Sequence, residues 1–124
     1  MIKFIIPYPK NKKGKSDWCK KYGLNAIYAG KHWAKRKKDS EFWHKLVLSE
    51  LRNQGIKRKL INVPVRIVFY HNDRMDIDNH AYIEKMIVDA LKEYIIVDDS
   101  KSYYREKTSR FHDNDFITVE IYKA

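Results

Sequence analysis

The chain has 124 residues, 44% hydrophobic and 34% charged, with a formal net charge of +10. That length suits one domain with a modest core, and the lone cysteine, Cys19, excludes an intrachain disulfide and fits a reducing cytoplasm. No apolar run approaches the roughly 20 residues of a membrane span, and Phe4–Ile6 before Pro7 is too short for a signal peptide, so no membrane partner is expected.

Met1–Tyr8 places Ile2, Phe4, Ile6 and Tyr8 on one face and is expected to be a strand, ended by Pro7 and Pro9 because proline cannot donate to a sheet ladder. Lys10–Lys21, with six lysines in twelve residues, is expected to be a polar loop. Leu24–Ser40 has no clear period, and its KHWAKRKKDS segment is expected to run into a helix over Glu41–Gln54. There Trp43, Leu46, Val47 and Leu51 share one side, and Gly55 supplies a stop. Val63–His71 alternates Val63, Val65, Ile67 and Phe69 against Pro64, Arg66, Val68 and Tyr70, and its proline points to a start near a sheet edge. Asn79–Tyr94 repeats Ile83, Met86, Ile87, Ala90, Leu91 and Tyr94 at helical spacing. Tyr103–Arg110 is expected to be a polar edge strand, and Phe116–Tyr122 a strand with Ile117, Val119 and Ile121 on one side. Together these predict one α+β domain over residues 1–124, with a mixed sheet of about four strands packed with two main helices.

Charge is divided unevenly. Residues 1–60 carry 17 Lys/Arg against 4 Asp/Glu, whereas residues 61–124 carry 9 against 12. A basic first half should attract a polyanion and release its counterions. Lys12, Lys13 and Lys15 in one stretch, and Lys31, Lys35, Arg36, Lys37 and Lys38 in another, are the candidate contacts to DNA phosphates. An acidic second half opposes that purpose unless some of its carboxylates hold metal.

Asp76 and Asp78 lie two apart between a strand and a helix, a spacing that sends both side chains to one side of an extended backbone. Adjacent carboxylates repel unless a cation sits between them, and hard oxygen donors favour Mg²⁺ or Mn²⁺. The plain alternative is an Asx turn in which Asp78 or Asn79 caps the following helix. At about 100° per residue, Lys85 and Asp89 continue the Asp78 stripe along that helix, an arrangement that an ordinary i, i+4 ion pair would also produce. Farther on, the apolar run Tyr94–Val97 closes in Asp98–Asp99. If the chain reverses near Tyr94 and runs back along the helix, Asp99 approaches Asp78.

Asp76-Ile77-Asp78-Asn79, Lys85, Asp89-Ala90-Leu91 and Ile95-Ile96-Val97-Asp98-Asp99-Ser100, in that order and spacing, resemble the RusA family of Holliday-junction resolvases. LNAIYAGKHWAKRK is similar to the basic segment before that family's first helix. The resemblance implies a homodimeric Mg²⁺-dependent endonuclease, often phage- or prophage-encoded, that nicks opposed strands of a four-way junction in DNA recombination and repair. It maps the metal-holding carboxylates onto Asp76, Asp78 and Asp99 and the catalytic lysine onto Lys85. The Asn79–Lys85 gap departs from better-known members by about three residues, close to one helical turn, which keeps the lysine's face and shifts it by about 5 Å.

His32, His44, His71, His80 and His112 are scattered without cysteine partners at zinc spacing, and His80 is expected at the surface. Core packing is expected for at least two of Trp18, Trp33 and Trp43, although exposed tryptophans in a basic half can stack on bases. The rival functions are a non-catalytic basic DNA-binding module and a metal nuclease acting on forks or flaps.

Overall fold

The computed structural model describes Met1–Ala124 as β1 (Ile2–Pro7), α1 (Lys12–Tyr22), α2 (Leu24–Tyr28), α3 (Trp33–Asn53), β2 (Val65–His71), a 3₁₀ turn (Ile77–His80), α4 (Ala81–Leu91), β3 (Tyr104–Phe111) and β4 (Phe116–Lys123). The four strands lie in the order β1-β4-β2-β3; β4 is antiparallel to β1 and β2, and β2 and β3 are parallel. This is the expected α+β domain with a mixed sheet. Alternation along the strands buries Phe4 and Ile6, Val65, Ile67 and Phe69, and Ile117, Val119 and Ile121 in one core with Trp43, Val47 and Leu51 of α3 and Ile83, Ile87 and Leu91 of α4. The parallel pair β2–β3 requires a long crossover, and α4 lies within it. β3 is the polar edge strand that its sequence suggests.

α3 ends where Gly55 stands, in a left-handed conformation at φ 77°. Gly55 N–H donates to the Arg52 carbonyl at 3.1 Å and Ile56 N–H to the Leu51 carbonyl at 2.8 Å, the paired closure that a glycine just past a helix permits.

Four expectations are corrected. Lys10–Lys21 is not a loop: Asn11 caps α1 by accepting from Gly14 N at 2.6 Å, and Trp18, Cys19 and Tyr22 turn into the core at helical spacing. The Trp18 ring meets Tyr8 at 5.2 Å and Trp43 at 5.9 Å, so aromatic packing holds a lysine-rich helix in place. α3 begins at Trp33 rather than Glu41. Despite Pro64, β2 is an interior strand, because the proline precedes the first paired residue, Val65. The Asn79–Tyr94 helix is shorter than its pattern, with a 3₁₀ turn before it and its last residue at Leu91. No helix is long and apolar enough to cross a membrane.

Candidate functional site

Beyond β2 the chain turns through Asn72–Met75 into the 3₁₀ segment. Asp76 stands at the start of that turn with extended backbone and makes no side-chain cap; α4 itself starts from His80, also without one. Asp76 and Asp78 are both exposed. The plain capping role is therefore not what these carboxylates do. Asn79 caps a different helix: its Oδ1 accepts from Asn25 N at 2.9 Å, tying the start of α2 to the turn. Gly23 makes this approach possible, since a Cβ there would lie 2.8 Å from Asn79 Nδ2 and 2.9 Å from the Cys19 carbonyl.

The chain reverses at Glu93 (φ 64°), where Glu93 N–H donates to the Ile96 carbonyl at 2.7 Å. Ile95 and Ile96 are buried by the return, and Asp99 comes back over the polar face of α4. Its carboxylate is 3.1 Å from Lys92 Nζ, and Lys92 in turn is 3.3 Å from Asp89. The hydrogen bond from Lys92 holds the Asp99 carboxyl below its usual range and raises the Lys92 ammonium. Asp99, Lys85, Asp89 and Glu84 line one small cleft of ≈ 200 Å³, closed by Tyr104 and Lys107 of β3. Lys85 is 3.6 Å from Asp89, with a side chain 70% exposed. Asp76 instead lines a different cleft of ≈ 460 Å³, with Lys20, Asn25 and Arg74. Asp76 and Asp78 thus share one turn, while Asp99 and Lys85 share a separate groove along α4.

Beneath the turn lies a buried polar bracket. His80, fully buried rather than at the surface, offers Nδ1 to the Ile77 carbonyl at 3.0 Å and Nε2 to both Asp73 oxygens at 2.8 Å. Burial opposes its charge, but the Asp73 and Ile77 hydrogen bonds outweigh burial and raise its pKa. Both ring nitrogens face acceptors, as an imidazolium requires. His71 stacks on it, ring centroids 3.8 Å apart, and burial lowers its pKa, so it is the neutral partner. Its Nε2 meets Glu84 at 2.9 Å, and Glu84 also receives Lys107 at 2.7 Å and Ser109 at 2.5 Å. Burial works against the Glu84 and Asp73 carboxylates, yet these donors keep both below their ordinary values.

His71, Asp73 and His80 bring donor atoms within 4.8 Å of one another, a set that could hold a metal by proximity alone. The two imidazoles lie only 20° from parallel, however. Stacked rings cannot both aim an in-plane lone pair at one ion. The cluster therefore acts as a hydrogen-bonded bracket that joins β2, the turn, α4 and β3.

The basic residues form a belt around the Asp76 cleft. On one side a cleft of ≈ 590 Å³ presents Lys12, Lys15 and Ser16 and shares Cys19 and Arg74 with it. On the other, a cleft of ≈ 730 Å³ presents Lys21, Lys35 and Lys38 and shares Lys20 and Ala26. Lys12, Lys13, Lys35, Arg36, Lys37 and Lys38 are exposed. Two of the candidate lysines are occupied elsewhere. Lys15 Nζ lies 2.7 Å from the Asn72 carbonyl and 4.2 Å above the Tyr8 ring. Lys31 is buried in an ion pair with Asp39, which Tyr82 OH also bonds at 2.8 Å, so Lys31 is not free to meet a phosphate.

The bracket was missed by sequence reasoning, yet signals for it exist. His71 continues the Val65, Ile67, Phe69 alternation onto the core face, and His80 and Glu84 precede Ile87 by seven and three residues, in phase with the buried side of α4. A scan of the chain against protein-family models finds no match, and a search of curated proteins finds none.

Proposed function

We propose that this protein is a Mg²⁺-dependent endonuclease of branched DNA, resolving four-way junctions by paired nicks, as its resemblance to the RusA family implies. The observation that carries the reading is the Asp76–Asp78 pair: two exposed carboxylates on one turn, used for no cap, beside a belt of lysines. Such hard oxygen donors fit Mg²⁺, with Mn²⁺ as a substitute. When bound, the ion polarises a phosphate and activates water. Asp76 and Asp78 would hold it; the resemblance adds Asp99 to the acid set and Lys85 to offset charge on the phosphate, and both lie in the α4 groove, paired with Lys92 and Asp89. Lys12, Lys13, Lys35 and Lys38 position the DNA backbone. One chain carries one acid set and a junction needs two symmetric cuts, so a two-fold homodimer supplies the pair.

The test is cleavage of labelled four-way junction, fork and duplex DNA with and without Mg²⁺. Asp78→Asn is expected to abolish cutting while junction affinity stays within a few-fold, because the amide keeps the shape and removes only the charge. Binding without cutting by the wild-type protein, in Mg²⁺ and in Mn²⁺, overturns the proposal.

A further inference from the structure

Of the three tryptophans, Trp18 and Trp43 are buried and Trp33 is 64% exposed; Tyr28, at the other end of the same short loop, is 79% exposed. A single exposed aromatic side chain is ordinary on a protein surface; here two stand at the ends of one short loop, beside a cleft lined by lysines. The loop between them is held firmly. Gly30 takes φ 93°, which lets the chain turn tightly between α2 and α3. Lys31 N–H donates to the Ala26 carbonyl at 3.2 Å, and its ammonium reaches inward to Asp39 and to the Lys21 carbonyl. His32 Nδ1 accepts from Ala34 N at 3.2 Å and lays its ring 5.6 Å from the Trp33 indole. The indole is therefore supported by His32 on a fixed corner.

The surroundings say what fits there. The adjoining cleft is lined by Lys20, Lys21, Lys35 and Lys38, and its one acid, Asp39, is already paired with Lys31. An apolar protein partner would have to desolvate four ammonium groups. A nucleic-acid strand instead gives them phosphates and gives the aromatic rings a base face. Base faces in a continuous duplex are stacked on one another, so only an unpaired base is available to the indole. The cleft continues into that of Asp76 through Lys20 and Ala26.

We propose that Tyr28 and Trp33 form a stacking platform for an unpaired base of single-stranded nucleic acid, whose phosphates follow Lys20, Lys21, Lys35 and Lys38 toward Asp76. The platform rests on the nuclease reading only in supplying a strand to Asp76, and its test needs neither metal nor cleavage. Single-stranded nucleic acid, including a strand left unpaired where a branched substrate opens, is the class that it binds.

The experiment compares short oligo-dT with a blunt hairpin duplex in EDTA, by anisotropy and by tryptophan fluorescence. Oligo-dT is expected to quench wild-type emission, and the quench is expected to vanish in Trp33→Phe while affinity is largely retained. Trp33→Ala should weaken oligo-dT about tenfold or more, given what one stacked base contributes, and change duplex binding by less than about twofold; Tyr28→Ala should act in the same direction. Unquenched emission, or equal losses on oligo-dT and duplex, overturns the platform. So does loss of binding to phosphatidylserine vesicles in Trp33→Ala with oligo-dT unaffected, which would mark a membrane contact. Mg²⁺-dependent junction cleavage is measured separately on the wild-type protein and Asp78→Asn: no cutting by the wild type refutes the nuclease reading, normal cutting by Asp78→Asn refutes the metal site assigned to Asp78, and either leaves the platform standing. Cutting that depends on Asp78, together with unaltered oligo-dT binding by Trp33→Ala, does the reverse.

Discussion

Lys31→Met is expected to damage the fold far more than DNA binding. Lys31 and Asp39 have side chains only 9% and 3% exposed, and the ammonium also lies 5.5 Å from the Tyr22 ring and 5.4 Å from the Tyr82 ring. Methionine fills much of the same channel, so the loss is chiefly the pairing of a buried carboxylate. Breaking a buried pair by removing one partner costs about 3–5 kcal/mol. Because Tyr82 OH still donates to Asp39, the lower end, about 3 kcal/mol, is expected, or roughly 10 °C in Tm for a domain of this size. Urea unfolding measures it. The double variant Lys31→Met/Asp39→Asn removes the stranded charge, keeps an acceptor for Tyr82, and should recover at least half of the loss. A destabilisation below about 1 kcal/mol, together with a shallower salt dependence of DNA binding, would mean that Lys31 works as a phosphate ligand, and would refute the burial argument.

The polar bracket sets the response to acid. Glu84 and Asp73 have folded pKa values below their unfolded ones, so their stabilisation is present above the carboxylate range and lost as pH falls through the folded values. His71, lowered from 6.5, also favours unfolding as pH drops below that value, whereas His80, raised, contributes fully below 6.5 and fades as pH rises through its folded value. Urea midpoints should therefore fall below pH 6.5 and more steeply below 4.5, with the lower limb flattened in Glu84→Gln; an unchanged limb would contradict the assignment. Replacing Lys12 and Lys13 by alanine should reduce the log–log salt slope of DNA binding by roughly 0.9 for each phosphate no longer neutralised; an unchanged slope would show that the start of α1 faces away from DNA. Gly23→Ala should lower stability by about 1–3 kcal/mol through overpacking against Asn79 and the Cys19 carbonyl, and junction cleavage should fall with it; a neutral substitution would mean that the α2 junction yields freely.

The strands were legible because a two-residue period survives in Phe4–Ile6, Val65–Phe69 and Ile117–Ile121, and α4 because its apolar stripe is unbroken. α1 was hidden by its lysines: only Trp18, Cys19 and Tyr22 are buried, too few to outvote a polar composition. Pro64 misled about β2, since a proline one residue outside the ladder forfeits no hydrogen bond. The Asp76–Asp78 turn could be read at the strand–helix junction. The reversal near Tyr94 could be read too, but the place where it leaves Asp99 could not, because that depends on a lysine, Lys92, that captures the carboxylate in the α4 groove. His80 shows how a histidine beside a polar motif can be buried when a nearby acid, here Asp73, supplies its counter-charge.

The strand order has a consequence for how the chain folds. β4 follows every other element in sequence yet occupies the middle of the sheet, with β1 on one side and β2 on the other. Ile2 faces Ile121 and Phe4 faces Val119, pairings that span nearly the whole domain. Until Phe116–Lys123 has been synthesised, β1 has no neighbour in the sheet and β2 has only β3. The chain must therefore hold β1 unpaired through most of its synthesis and β2 without its β4 neighbour until the last strand forms, and closing so large a loop makes sheet completion a late, comparatively slow step. α1 and α3 can meet early through Trp18 and Trp43, both encoded in the first half. A nascent chain would then carry its basic helices and its aspartate turn before it has the completed sheet that aligns them.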